Sequence, residues 1–137
     1  MTAKIDMSKA YDRVKWAFLE FIIRQLGFPE AWISLVVKCV SSDTFSFFVT
    51  GNTVGVVKPN RGIRQSDPLS PYLFLLVSEG LPAILHKACR DKRLYAISIC
   101  HRAPTISHLL FADDSLLFMR GSLSEAIALR DVLHLFE

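Results

Sequence analysis

The sequence has no long apolar run. Across its 137 residues the longest stretch without a formal charge, Thr44 to Val57, is 14 residues long and holds two glycines. A membrane-spanning helix needs about 18–20 apolar residues, so no transmembrane segment is expected. Lys4 and Asp6 fall where a signal peptide would need its apolar region, which argues against secretion. Cysteine is scarce: Cys39, Cys89 and Cys100 form no C-x-x-C pair and leave an odd count. A core of this size requires no disulfides, and the odd count fits buried thiols in a reducing, intracellular compartment. Charge of one sign is lacking too, since 16 Lys and Arg against 13 Asp and Glu leave only +3, weak support for a nucleic-acid partner.

What is present is apolar. Hydrophobic residues make up 51% and charged ones 21%, which excludes intrinsic disorder. The mean hydropathy of +0.33 is high for a free-standing domain and reserves apolar surface for a neighbour. The length suits one domain with its own core.

Ala3, Ile5 and Met7 alternate with Lys4 and Asp6, the period of a half-buried strand. Trp16, Leu19, Ile22, Ile23 and Leu26 recur at helical spacing up to Gly27, a C′ glycine. Pro29 opens a second helix bearing Trp32, Leu35, Val36, Cys39 and Val40. Phe45 to Val57 reads as a hairpin broken at Gly51-Asn52. An apolar helix from Tyr72 to about Arg90 follows, with Pro82 expected to kink or split it. Tyr95, Ile97 and Ile99 alternate as a strand, Ser107 to Met119 forms two short strands around Asp113-Asp114, and Ser122 with Glu125 makes a capping box for a last helix. The order predicts an α+β fold, an antiparallel sheet with helices packed on one face. No repeat, linker or low-complexity segment divides the chain. The last helix is still running at Glu137 and the first strand has no lead-in, so the segment is expected to be cut from a longer chain.

Asp113 and Asp114 lie at the tip of an otherwise apolar hairpin, where Asp is also a common turn residue. Asp6 is a third carboxylate. If their strands neighbour each other, Asp6 and Asp113 converge, and clustered carboxylates need a proton or a divalent cation to offset their repulsion. An all-oxygen donor set favours Mg²⁺ or Mn²⁺ over zinc. An EF-hand beginning at Asp113 fails because Leu117 occupies its fifth position. No Walker loop, G-x-S-x-G or H-E-x-x-H is present, and His86, His101, His108 and His134 have no zinc spacing, so they read as ordinary surface or core residues.

The segments Asp6-Met-Ser-Lys-Ala-Tyr-Asp-Arg-Val14, Gly62-Ile-Arg-Gln-Ser-Asp-Pro-Leu-Ser-Pro71 and Phe111-Ala-Asp-Asp114 resemble motifs A, B and C of reverse transcriptases. The second is closest to the non-LTR, LINE-type retrotransposon branch. The resemblance covers essentially the whole chain, in order, and implies a palm subdomain (residues 1–137) without fingers or thumb. It implies that Asp6, Asp113 and Asp114 are catalytic and that two Mg²⁺ (or Mn²⁺) ions are held by Asp6, Asp113, Asp114 and the Met7 carbonyl. Tyr11 corresponds to a steric gate against a ribose 2′-hydroxyl, Gln65 to the motif B glutamine along nucleotide and template, and Arg64 and Ser66 to its neighbours at the nucleotide. The implied activity is RNA-directed DNA polymerisation from deoxynucleotides, with RNA template, DNA primer and the rest of a polyprotein as partners and no membrane. The alternative is an inactive remnant serving at most as a nucleic-acid- or protein-binding module.

Ser66 stands where the family pattern has Gly, and is expected either to narrow the nucleotide pocket or to strain the turn. Lys58, Arg61 and Arg64 precede motif B, and Lys87, Arg90, Lys92 and Arg93 cluster near a helix end. There they meet phosphate or only complement the helix dipole.

Overall fold

The computed structural model describes residues 1–7, 9–111 and 114–136. Its elements run β1 (Thr2–Asp6), α1 (Ala10–Arg13), α2 (Trp16–Gln25), α3 (Glu30–Ser41), β2 (Phe45–Val49), β3 (Asn52–Val57), α4 (Ser70–Ser78), α5 (Gly80–Arg90), β4 (Ile97–Ser98), β5 (Thr105–Ile106), β6 (His108–Phe111), β7 (Asp114–Phe118) and α6 (Leu123–Phe136). Helices and antiparallel strands make this an α+β chain, as expected. It forms two compact bodies, Met1–Ser8 with Ser78–Glu137, and Lys9–Val77.

The first body is built on a sheet of order β1-β7-β6, both pairings antiparallel. Alternation along β7 turns Ser115 and Leu117 inward and leaves Asp114, Leu116 and Phe118 on the other face. Leu117 and Met119 are buried together with Leu81, Leu85 and Ala88 of α5 and Ala128, Leu129 and Val132 of α6, and Ala3, Ile5 and Leu110 pack against this core. Ser115 Oγ is buried among them and finds no hydrogen-bond partner among the described residues. At the start of α6 the Glu125 N–H donates to Ser122 Oγ at 3.2 Å, one half of the expected capping box. The Glu125 carboxylate is buried and accepts the Tyr95 N–H at 2.9 Å, a link across the chain that a local motif does not encode.

Pro82 divides the long apolar helix as expected. The break falls at Glu79, between α4 and α5, because a proline ring crowds the carbonyl four residues earlier, here Ser78. Pro82 thereby occupies the first turn of α5, where its missing N–H is harmless. Taken together, Ser70–Arg90 is long and apolar enough, by length and composition alone, to cross a membrane. On α5 that apolarity is spent inside the protein, on Leu81, Leu85 and Ala88. The helix ends in a left-handed Lys92 (φ 56°), with the Lys92 N–H donating to Cys89 O and the Arg93 N–H to Ala88 O.

In the second body α2 closes as the sequence predicts. Gly27 has φ 82°, its N–H donates to Arg24 O, and the Phe28 N–H donates to Ile23 O, a Schellman end. Phe28 then stacks on Trp32 with ring centroids 4.4 Å apart. The hairpin β2–β3 turns one residue earlier than expected. Val49 pairs with Asn52, so the two-residue loop is Thr50-Gly51, not Gly51-Asn52. Both loop residues have positive φ (48° and 85°), as a type I′ turn demands. Every residue of both strands is exposed, Phe48 and Val56 by about three quarters, which is where much of the high hydropathy resides.

The cysteines correct one expectation. All three are free, but Cys39 and Cys100 are exposed and only Cys89 is half-buried. Burial pushes the Cys89 thiol above its ordinary pKa.

Candidate active site

Antiparallel register places Asp6 directly opposite Asp114, so two carboxylates face each other at the end of the β1–β7 pair, with Cα atoms roughly 4.5–5.5 Å apart. Like charges at opposed positions destabilise a sheet. Lys4, two residues before Asp6 and on the same face, sets its Nζ 3.0 Å from Asp114 Oδ1. Asp6 is exposed and Met7 follows it half-buried. Phe111, paired with Asp114 on the other side, is 83% exposed. The carboxylates thus sit on the open face of the sheet, away from the face that carries the core. Asp113, the third expected member, lies outside the described residues, and among the described residues no three His, Cys, Asp or Glu side chains gather into a metal-binding group. The donor set that is described, two opposed carboxylates, is all oxygen and fits a hard divalent cation.

The nucleotide-contacting residues implied by the resemblance belong to the second body. Tyr11, on α1, is half-buried, and its ring stacks on Phe74 of α4 (centroids 4.9 Å apart, planes 13° apart). The Tyr11 carbonyl accepts the Ile63 N–H at 2.9 Å, and the Val14 carbonyl accepts the Gly62 N–H at 2.8 Å. The loop that carries Arg64, Gln65 and Ser66 is therefore tied to the segment that carries Tyr11. Arg64 and Gln65 line a cleft of about 310 Å³ with Asp12, Asp43, Phe45 and Arg61. Arg64 is committed to Asp43, its Nη2 donating to Oδ1 at 2.9 Å. Ser66 is exposed and does not adopt a positive φ.

Two residues escaped the sequence reading. Gly62 has φ 94°, and a Cβ there would lie 3.2 Å from Asp12 O and 3.3 Å from Asp12 Cα. Its carbonyl also accepts the Trp16 indole N–H at 2.7 Å. Asp67 Oδ1 accepts the Leu69 N–H at 2.7 Å, organising the turn that leads into α4. Its signal was readable, an Asp before Pro just ahead of an apolar helix. Of the basic residues, Arg93 pairs with Asp131 at 3.1 Å, and Arg61 lines the cleft. The histidines behave as ordinary residues: His86 and His108 lie with ring centroids 5.4 Å apart. Burial, then the neighbouring His86, holds His108 below its usual pKa.

Compared with known proteins, residues 1–136 match the family described as Reverse transcriptase (RNA-dependent DNA polymerase). The chain is 48% identical over 69 residues, half of its length, to an uncharacterised mitochondrial protein of Arabidopsis thaliana. It is 32% identical over 116 residues, 85% of its length, to the retrovirus-related Pol polyprotein from type-2 retrotransposable element R2DM of Drosophila melanogaster. It is 27% identical over 113 residues, 82% of its length, to the corresponding polyprotein from type-1 retrotransposable element R2 of Popillia japonica. The chain spans 57%, 10% and 18% of the lengths of these three relatives.

Proposed function

The chain belongs to the reverse transcriptase family, on the side of the LINE-type retroelements, and from that premise we propose that it supplies the palm of an RNA-directed DNA polymerase. The observation that carries the proposal is the register that opposes Asp6 of motif A to Asp114 of motif C. In this reading β1, β7 and β6 are the palm sheet, and Asp6, Asp113, Asp114 and the Met7 carbonyl hold two Mg²⁺ or Mn²⁺ ions. Bound there, such ions supply neutralisation of phosphate charge and activation of a primer 3′-hydroxyl. The protein's own part is positioning. Opposed strands fix the spacing of the carboxylates, and the open sheet face leaves them reachable by a primer end.

In the second body the stacked Tyr11 ring is a rigid wall suited to excluding a 2′-hydroxyl, a specificity built on a clash. Gln65 lies along nucleotide and template, with Ser66 beside it at the nucleotide. The Asp43 ion pair makes Arg64 a brace for the loop that presents Gln65, with phosphate contact secondary. The template is RNA, the primer DNA, and the working enzyme is the longer polyprotein of a retroelement. The exposed, unpaired thiols of Cys39 and Cys100 suit an intracellular setting.

Ligand binding to the native state alone raises stability by mass action. Millimolar Mn²⁺ is therefore expected to raise the melting temperature of the parent and not that of the Asp6→Asn/Asp113→Asn double variant. An equal rise in both would remove the metal site from the proposal.

A further inference from the structure

The ion pairs Arg24 with Glu20 and Glu30, Arg64 with Asp43, and Arg93 with Asp131 are made by guanidinium groups. The pair on the carboxylate face is made by an ammonium. Lys4 reaches Asp114 from the neighbouring strand, on the face where Asp114 confronts Asp6. We propose that Lys4 is the resident counter-ion of this carboxylate pair, a positioning residue that holds Asp114 in the metal-free protein and is displaced when a divalent cation arrives. The inference rests on the reading of Asp6 and Asp114 as metal ligands.

Three observations support it. Two opposed carboxylates repel, and the Lys4 charge lies where it offsets that repulsion. The Lys4 side chain is 63% exposed, so its ammonium can swing into water without disturbing the core. Ammonium is also the right group for a contact that must be given up. It is a strongly hydrated point charge on a flexible stem, whereas a guanidinium grips a carboxylate through two parallel hydrogen bonds. Lys4 would thus set how tightly the site takes its metal, resisting partial occupation while keeping Asp114 aimed across at Asp6.

The test is a Mn²⁺ titration followed by electron paramagnetic resonance at low ionic strength, on the parent, Lys4→Met and Lys4→Arg, with metal-free melting curves of Lys4→Met in the Asp114 and Asp114→Asn backgrounds. Lys4→Met is expected to bind Mn²⁺ about threefold to tenfold more tightly than the parent, the size expected for removing one unit charge from a solvent-screened site. Lys4→Arg is expected to bind no more tightly than the parent. Without metal, Lys4→Met should melt lower, and Asp114→Asn should cancel that loss. Unchanged or weaker Mn²⁺ binding by Lys4→Met, or a metal-free loss that persists with Asn at 114, would overturn the counter-ion role while leaving the polymerase reading intact. Absence of Mn²⁺ binding in every variant, Lys4→Met included, would overturn both.

Discussion

A polypeptide of these 137 residues alone is expected to extend no primer on an RNA template. The matched segment is 10% and 18% of the length of the R2 polyproteins. The resemblance assigns triphosphate clamping to residues before motif A, and duplex holding to a thumb after motif C. The carboxylates of Asp6 and Asp114 stand on an open sheet face, with Asp6 exposed and Phe111 bare beside Asp114, so nothing among the described residues of the first body closes water out or fixes a primer end. Positioning of reactants is worth roughly 7–11 kcal/mol of barrier. At about 1.4 kcal/mol per tenfold, its loss slows the reaction by some five orders of magnitude or more. Primer extension with Mg²⁺ and labelled deoxynucleotides, beside an Asp113→Ala control, measures this directly. Extension by the parent that the control lacks would show that these residues suffice.

Gly62→Ala is expected to give the largest loss of stability of any single methyl group added to the second body. Gly62 sits at φ 94° with Asp12 backbone atoms where its Cβ would point, and both its N–H and its carbonyl are used, toward Val14 and Trp16. A left-handed backbone at a non-glycine residue costs about 1–3 kcal/mol, and overpacking against backbone that cannot swing aside adds a similar amount. A total of roughly 2–6 kcal/mol lowers the melting temperature by about 5–25 °C. Gly51→Ala is the control, because Gly51 also has a positive φ (85°) but open space around it, and its cost should be the backbone share alone. Equal melting of Gly62→Ala and Gly51→Ala would show that the Asp12 contact does not constrain the motif B loop.

The features legible in the sequence are those encoded locally or by period. The Gly27 helix end, the Ser122 cap, the split at Pro82 and the strands flanking Asp113-Asp114 each depend on a few adjacent residues. That the two strands meet was legible, but the register was not: the sequence pointed to Asp113 as the residue converging on Asp6, whereas Asp114 is the one opposite it. The features that escaped depend on partners far along the chain. Gly62 is demanding because Asp12, Val14 and Trp16 return to it. Glu125 turns inward because the Tyr95 N–H needs an acceptor, and Lys4 finds Asp114 only when the sheet is assembled. The hairpin turn slipped by one residue because Gly-Asn and Thr-Gly are adjacent candidates, and strand pairing, not turn composition, decides between them. The cysteines were misplaced for a related reason: a cysteine's apolar character does not say whether its position faces the core.

The central claim is that Asp6, Asp113 and Asp114 share a divalent cation at the end of the β1–β7 pair. Its most direct test is the affinity of the chain for Mn²⁺ with the carboxylates removed one at a time, read by electron paramagnetic resonance of the free ion. Binding by the parent, weakened about tenfold or more by Asp6→Asn and by Asp113→Asn in samples that keep the parent's circular dichroism, is the predicted result. Binding that is the same in the parent and in both Asn variants would contradict it.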